Sequence, residues 1–255
     1  MAFDTTAQLT LFSLIMMRMS GFILFNPIFG RRNIPMTVKA GVIMALTLTI
    51  YFASVESAFE ITSMFELGFL LMKEFAVGYI IGYAMELFFF AITFGGYIID
   101  FQLGLTMATV YDPQSNSQIA VTGSVLQTWF VLLFFAVDGH LALMKILLTS
   151  AEIVPYGGIV ITQTLAVRMT ELFLQCSELG IRLSLPILAA EFLVQVGIGI
   201  MNKVVPQISI FVINIQLKII VGLGLLVILL SPIGDFINRI LTEMMKTLQG
   251  ILTFV

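Results

Sequence analysis

The chain has 255 residues, 59% of them hydrophobic and 11% charged, with a formal net charge of −3 and a mean hydropathy of +1.07. A soluble domain is roughly half apolar and about a quarter charged, so this composition excludes water as the main solvent. No basic run is longer than Arg31-Arg32, which excludes a nucleic-acid partner, and one cysteine (Cys176) with one histidine (His140) offers neither an internal disulfide nor a familiar metal site.

Six apolar segments approach or exceed the roughly 20 residues that a helix needs to cross a bilayer core. In chain order they are Leu9 to Phe29, Val38 to Val55, Met64 to Ile99, Ile119 to Val137, Ile181 to Ile200 and Ile208 to Leu230. Hydrocarbon cannot satisfy backbone amides, and these uninterrupted runs lack the alternation of barrel strands. The expected class is an all-α membrane protein built of helical hairpins. The amino terminus shows no basic n-region or small-residue cleavage site, so the first segment is expected to stay as an uncleaved anchor.

Two connectors stand out. Gly30 to Lys39 carries Arg31, Arg32, Pro35 and Lys39, and its positive charge predicts the cytoplasmic side. Thr106 to Gln118 is uncharged apart from Asp112, and Asp112-Pro113 followed by Gln-Ser-Asn-Ser-Gln is turn-rich. Beyond them, Lys73, Lys145, Arg168, Arg182, Lys203, Arg239 and Lys246 fall on nominally opposite sides, so six simple crossings do not fit the charges. Pro186 and the Lys203-Val-Val-Pro206-Gln207 break instead predict short hairpins or broken helices, which membranes tolerate where protein or an aqueous cavity surrounds them.

Glu74, Gly78, Gly82 and Glu86 recur at every fourth residue and form one stripe of a helix. The glycines permit close helix approach, and the carboxylates are expected to face protein or water. An interface or channel wall is one reading of the stripe; the other is that Lys73, Glu74 and Glu86 mark the ends of a shorter apolar core. Arg168, Glu171, Gln175, Glu178 and Arg182 make a polar stripe opposite Leu172, Phe173, Cys176 and Leu179, either a solvated face or a partner contact. Asn214, Lys218 and Gly222 repeat the four-residue spacing inside an apolar segment, where a lysine needs carboxylate, carbonyls or water nearby. No GxSxG, HExxH, P-loop or GxGxxG pattern occurs, and Asp138-Gly139-His140 reads as the point where a helix leaves the membrane. Fifteen methionines and 23 phenylalanines supply apolar filling, and the methionines could also form an adaptable seal.

The motifs, taken together, resemble the FliR family of flagellar export-gate proteins. They are Arg18-Met-Ser-Gly21, Pro27-Ile-Phe-Gly30, Pro35, Lys39, the Glu74-Gly78-Gly82 stripe, Gly95-Gly-Tyr-Ile-Ile-Asp100-Phe-Gln102-Leu-Gly104, Met107 and Asp112-Pro113. Asp138-Gly139-His140, Pro155, Asn202-Lys203-Val-Val-Pro206-Gln207 and Phe211 extend the match over nearly the whole chain. Gln216 departs from it, in a neighbourhood where many relatives have proline. The resemblance implies a subunit without catalysis or cofactor, assembled in the bacterial inner membrane, within the flagellar basal body, with FliP-like, FliQ-like and FlhB-like subunits into a channel for unfolded flagellar proteins. It implies a FliP-like part over residues 1–190 and a FliQ-like hairpin over 191–248. It also implies a plug in the loop 106–122, carried by Thr106, Met107, Tyr111, Asp112, Pro113, Gln114, Ser115, Asn116 and Ser117. Glu74, Gly78, Gly82, Glu86, Asp100, Lys203, Pro206, Gln207 and Lys218 are the residues expected at subunit interfaces or the channel wall. An injectisome subunit shares these motifs and is the near alternative. A small-solute transporter is a more remote one, since its internal repeat of helical halves is not visible here.

Overall fold

A computed structural model describes residues 5–53, 63–106, 120–158, 163–204 and 210–254. Among these residues there is no strand; the elements are α1 (Thr5–Phe25), α2 (Met36–Ala53), α3 (Met64–Leu103), α4 (Val121–Ala136), α5 (Gly139–Ile153), α6 (Gln163–Val204), α7 (Ile210–Ile228) and α8 (Leu230–Ile251), closed by a 3-10 turn, Leu252–Phe254. Four helices are long and apolar enough to cross a membrane by themselves, and up to six spans result if each of two bent pairs counts as one. The all-α membrane class expected from the apolar runs is what the structure has.

The contacts cluster into two compact units, and the division falls within α3, α6 and α8. The first unit comprises Met1–Leu87, Val137–Leu172 and Glu243–Val255. Its core is the face of α1 bearing Leu14, Ile15, Met19, Phe22 and Ile23, together with Val77, Ile81 and Met85 of α3, Leu143, Ile146 and Leu147 of α5, and Met244 and Leu248. The spacing of three and four residues along α1 keeps these side chains on one face. α2 packs on α1 but leaves Met36, Val38, Met44, Leu48 and Phe52 exposed, an apolar surface suited to lipid or protein and not to water.

The second unit comprises Phe88–Ala136 and Phe173–Thr242. Phe88, Phe89, Ile92 and Ile99 of α3 meet Leu126, Phe130 and Phe134 of α4 in its core, with Phe89 and Phe130 edge to face at 4.9 Å. Glycines set the helix approach. A Cβ on Gly96 would overlap Gly123 of α4, and one on Gly95 would lie 2.8 Å from the Gly180 carbonyl of α6. Neighbouring residues on a helix point apart, so this glycine pair lets α3 take a different helix on each side. α8 leaves α7 at 64°, where Pro232 has no N–H to continue the ladder. α8 is amphipathic. Ile233, Ile237, Ile240, Leu241, Met244 and Leu248 are buried, whereas Asp235, Asn238, Arg239, Thr242, Lys246 and Gln249 are exposed.

One feature differs from the sequence reading. Pro186 does not break its helix: α6 runs unbroken from Gln163 to Val204, absorbing one lost backbone bond within 42 residues. At Asp138-Gly139-His140 the turn is short: α4 ends at Ala136, Asp138 takes φ 57, and α5 starts at Gly139, bent by 70° from α4. α3, at 40 residues, contains the whole apolar run Met64 to Ile99 and has a length of about 60 Å, twice a bilayer core of ~30 Å.

Candidate functional site

Three glycines create the first polar centre by bringing α1 against α3. A Cβ on Gly78 would overlap the Arg18 carbonyl, one on Gly21 would overlap the Phe75 carbonyl, and one on Gly82 would lie 3.0 Å from the Phe22 carbonyl. The obstructing atoms are backbone, so no rotamer change could make room. At this crossing Arg18 and Glu74 are both completely buried and paired, Nε donating to Glu74 Oε2 at 2.6 Å. Nη1 donates to the Ser150 hydroxyl at 3.3 Å and Nη2 to the Val154 carbonyl at 3.0 Å. The guanidinium lies over the Tyr156 ring, 4.3 Å from its centroid. The Gly157 N–H donates to the remaining Glu74 oxygen at 2.8 Å, presented by a left-handed turn with φ 78 that suits glycine.

A buried ion pair is tolerable when hydrogen bonds meet its remaining lone pairs and protons; here each guanidinium nitrogen donates one bond and each Glu74 oxygen accepts one. Burial pushes the Tyr156 phenol up to about 12; Arg18 opposes that rise and Glu74 adds to it. The phenol oxygen finds no hydrogen-bond partner among the described residues. The sequence reading missed Arg18 as the partner of Glu74, although an arginine inside the first apolar segment was the available signal.

The connector after α1 is an ordered turn. The Asn26 side chain accepts from the Ile28 and Phe29 N–H groups at 2.8 and 3.1 Å, and Lys39 Nζ returns to the Gly30 carbonyl at 2.8 Å. Arg31 donates to the Pro27 carbonyl at 3.0 Å and is the charged neighbour of Glu86, which is exposed on α3.

Asp100 organises the second centre, where α3 ends and α4 begins. Its backbone carbonyl accepts from Leu105 N–H at 3.0 Å while Phe101 accepts from Gly104 N–H at 3.2 Å, the two bonds of a Schellman stop with Gly104 at φ 76. Its buried carboxylate accepts from Thr122 N–H, 3.1 Å from Oδ2 and 3.2 Å from Oδ1, satisfying an orphan donor of the first turn of α4. One residue therefore holds both Leu105 and Thr122. Thr106 is half-buried beside it. Met107, Tyr111, Asp112, Pro113, Gln114, Ser115, Asn116 and Ser117, the rest of the expected plug, lie outside the described residues, as do Pro206 and Gln207.

The other expected positions divide by exposure. Glu74, Gly78, Gly82 and Asp100 are buried inside the chain, Glu86 and Lys203 are exposed, and Lys218 is half-buried on α7. The polar stripe of α6 is exposed and self-paired, Arg168 to Glu171 at 2.8 Å and Arg182 to Glu178 at 2.6 Å.

Comparison with known proteins gives a consistent answer. The family described as "Bacterial export proteins, family 1" matches residues 9–244. The chain is 29% identical over 238 residues to the flagellar biosynthetic protein FliR of Escherichia coli (strain K12), covering 93% of this chain and 91% of that one. It is 28% identical over 253 residues to FliR of Bacillus subtilis (strain 168), with 96% and 95% covered. The Yop proteins translocation protein T of Yersinia pestis is 27% identical over 193 residues, 75% of this chain and 74% of that protein. With its membrane helices, its Arg18–Glu74 centre and a match along nearly its full length, the chain belongs to the bacterial export proteins, family 1.

Proposed function

We propose that this chain is the FliR-like subunit of a flagellar export gate in the bacterial inner membrane, at the flagellar basal body. There it joins FliP-like, FliQ-like and FlhB-like subunits to form a channel for unfolded flagellar proteins. The observation that carries this reading is similarity to FliR of both E. coli and B. subtilis over more than nine-tenths of each chain. The subunit conducts and does not catalyse, and energy for transport enters elsewhere in the apparatus. Exposed apolar surface on α2, with Glu86 and Lys203, supports subunit contacts at those places; Glu74, Gly78, Gly82 and Asp100 instead hold the fold that presents them. Residues 1–190 act as the FliP-like part and 191–248 as the FliQ-like hairpin, a boundary that falls inside the continuous helix α6.

The loop 106–122 is the plug of the closed channel in this reading. Its anchoring by Asp100 supports that role, since a segment displaced by substrate needs a fixed base to return to. Deleting residues 112–117 should leave assembly intact and make the membrane leaky to ions; an assembled deletion variant with no added conductance overturns the plug role.

The gate reading is tested by native mass spectrometry of the tagged chain, co-expressed with the FliP-like and FliQ-like subunits of its organism and extracted in mild detergent. One large complex with a single copy of this chain is expected, and a monomer or homodimer free of those subunits overturns it. The match to the Yop translocation protein supports one second reading, an injectisome subunit. Restoration of swimming in a flagellated host lacking its own FliR selects the flagellar role, and restoration only of virulence-protein secretion selects the other.

A further inference from the structure

Arg182 and Lys203 bracket a stretch of α6, residues 183–202, whose only charged side chain is Glu191. At 1.5 Å per residue this stretch is about 30 Å long, the thickness of a bilayer core, and Glu191 lies near its middle. Glu191 is completely buried, and neither carboxylate oxygen has a hydrogen-bond partner among the described residues. α7 repeats the pattern with the opposite sign, Lys218 being the only charged residue of Ile210–Ile228. Residues 183–202 and α7 both lie in the second unit, and Lys218 stands one helical turn before Gly222, the glycine of α7 that faces the Glu191 carboxylate. Gly222, one turn beyond Lys218, keeps α7 open at this level. A Cβ there would lie 3.2 Å from Glu191 Oε1 and overlap the Leu103 side chain.

We infer that Glu191 and Lys218 work as one unit, a charge pair that sets the register of α6 against α7 at mid-depth of the apolar layer. Either charge alone at that depth lacks compensation, whereas together they are neutral to their surroundings. Apolar helices otherwise slide past one another at little cost, because lipid tails are as good a neighbour as leucine. A single opposite-charge pair penalises every register except the one that aligns it. Lys218 and Glu191 are therefore positioning residues, and the requirement attaches to the pair.

The test replaces the native chain, within the complete apparatus, by Glu191→Gln, Lys218→Gln, the double neutral variant, and the exchanged pair Glu191→Lys with Lys218→Glu. The amount of full-length chain in washed membranes is the readout, which does not depend on the export reading. Each single change should lower that amount at least about tenfold, with the double variant recovering to within about twofold of the native chain and the exchanged pair exceeding either single. Singles at the native level, or a double variant no better than the worse single, overturn the pairing.

Discussion

Glu74 and Glu191 are the same residue type, both completely buried within long apolar helices, yet their surroundings are opposite. Glu74 has a guanidinium at 2.6 Å and a backbone N–H at 2.8 Å, so both oxygens are matched. Glu191 has no hydrogen-bond donor among the described residues, and on α7 it faces Gly222, one turn from Lys218. The difference teaches that burial alone does not define a polar centre. The first is fixed by directional bonds from three parts of the chain; the second is held by charge, which constrains position along a helix more than orientation.

The contrast predicts where substitution is most damaging. Arg18→Met leaves Glu74 buried and uncompensated, a change that typically costs about 3–5 kcal/mol, so the protein should be nearly absent from membranes on immunoblotting. Adding Glu74→Gln should recover part of the loss, and no recovery would show that packing at the crossing, not charge, dominates. Next in size is an alkaline effect. The folded Tyr156 phenol lies near 12, above its ordinary value of about 10. Stability from this group is complete below the unfolded value and is lost as pH rises through that interval, to a limit of about 2–3 kcal/mol. Tyr156→Phe should abolish that part of the alkaline loss in thermal scans of the extracted protein, and an unchanged pH profile would remove the phenol from the account.

Gly78→Ala places a methyl against the Arg18 carbonyl and should destabilise by about 1–3 kcal/mol. Gly41→Ala, where an added Cβ meets nothing within 4 Å, is the control and should be neutral or slightly stabilising. The smallest effect belongs to Glu178→Gln, which removes an exposed i,i+4 pair and should change stability by less than about 1 kcal/mol. A larger loss would mean that the α6 stripe is covered by a partner, and co-purification would then separate the two cases.

Legibility from sequence followed the range of each interaction. Apolar runs foretold the membrane helices, and the four-residue spacing of Gly78 and Gly82 foretold a close crossing, because both signals are local. An arginine inside the first apolar segment signals that a counter-charge is needed, but with the partners 56 residues apart the sequence does not single out Glu74 as that counter-charge. α5 was overlooked because His140, Lys145 and Glu152 dilute its apolar character, although its buried face of Leu143, Ile146 and Leu147 keeps helical spacing. Pro186 was given too much weight as a breaker, because a long helix bears one missing bond when its neighbours stay bonded. The base of the loop after Gly104 was legible only as a set of motif residues. That Asp100 serves both ends of it needed coordinates.

The Arg18 centre also imposes an order on biogenesis. When α1 emerges from the ribosome its guanidinium has no counter-charge, and Glu74 is not made for another 56 residues. At roughly 5–20 residues per second that interval lasts several seconds. Releasing α1 into lipid during that time carries a bare charge into hydrocarbon at a cost of about 2.5–3.5 kcal/mol, which favours holding it back until α3 arrives. Ser150, which accepts the last guanidinium arm but one, follows 132 residues after Arg18. The centre is completed in stages, and a stall between α1 and α3 should leave the nascent chain with its most vulnerable helix unhoused.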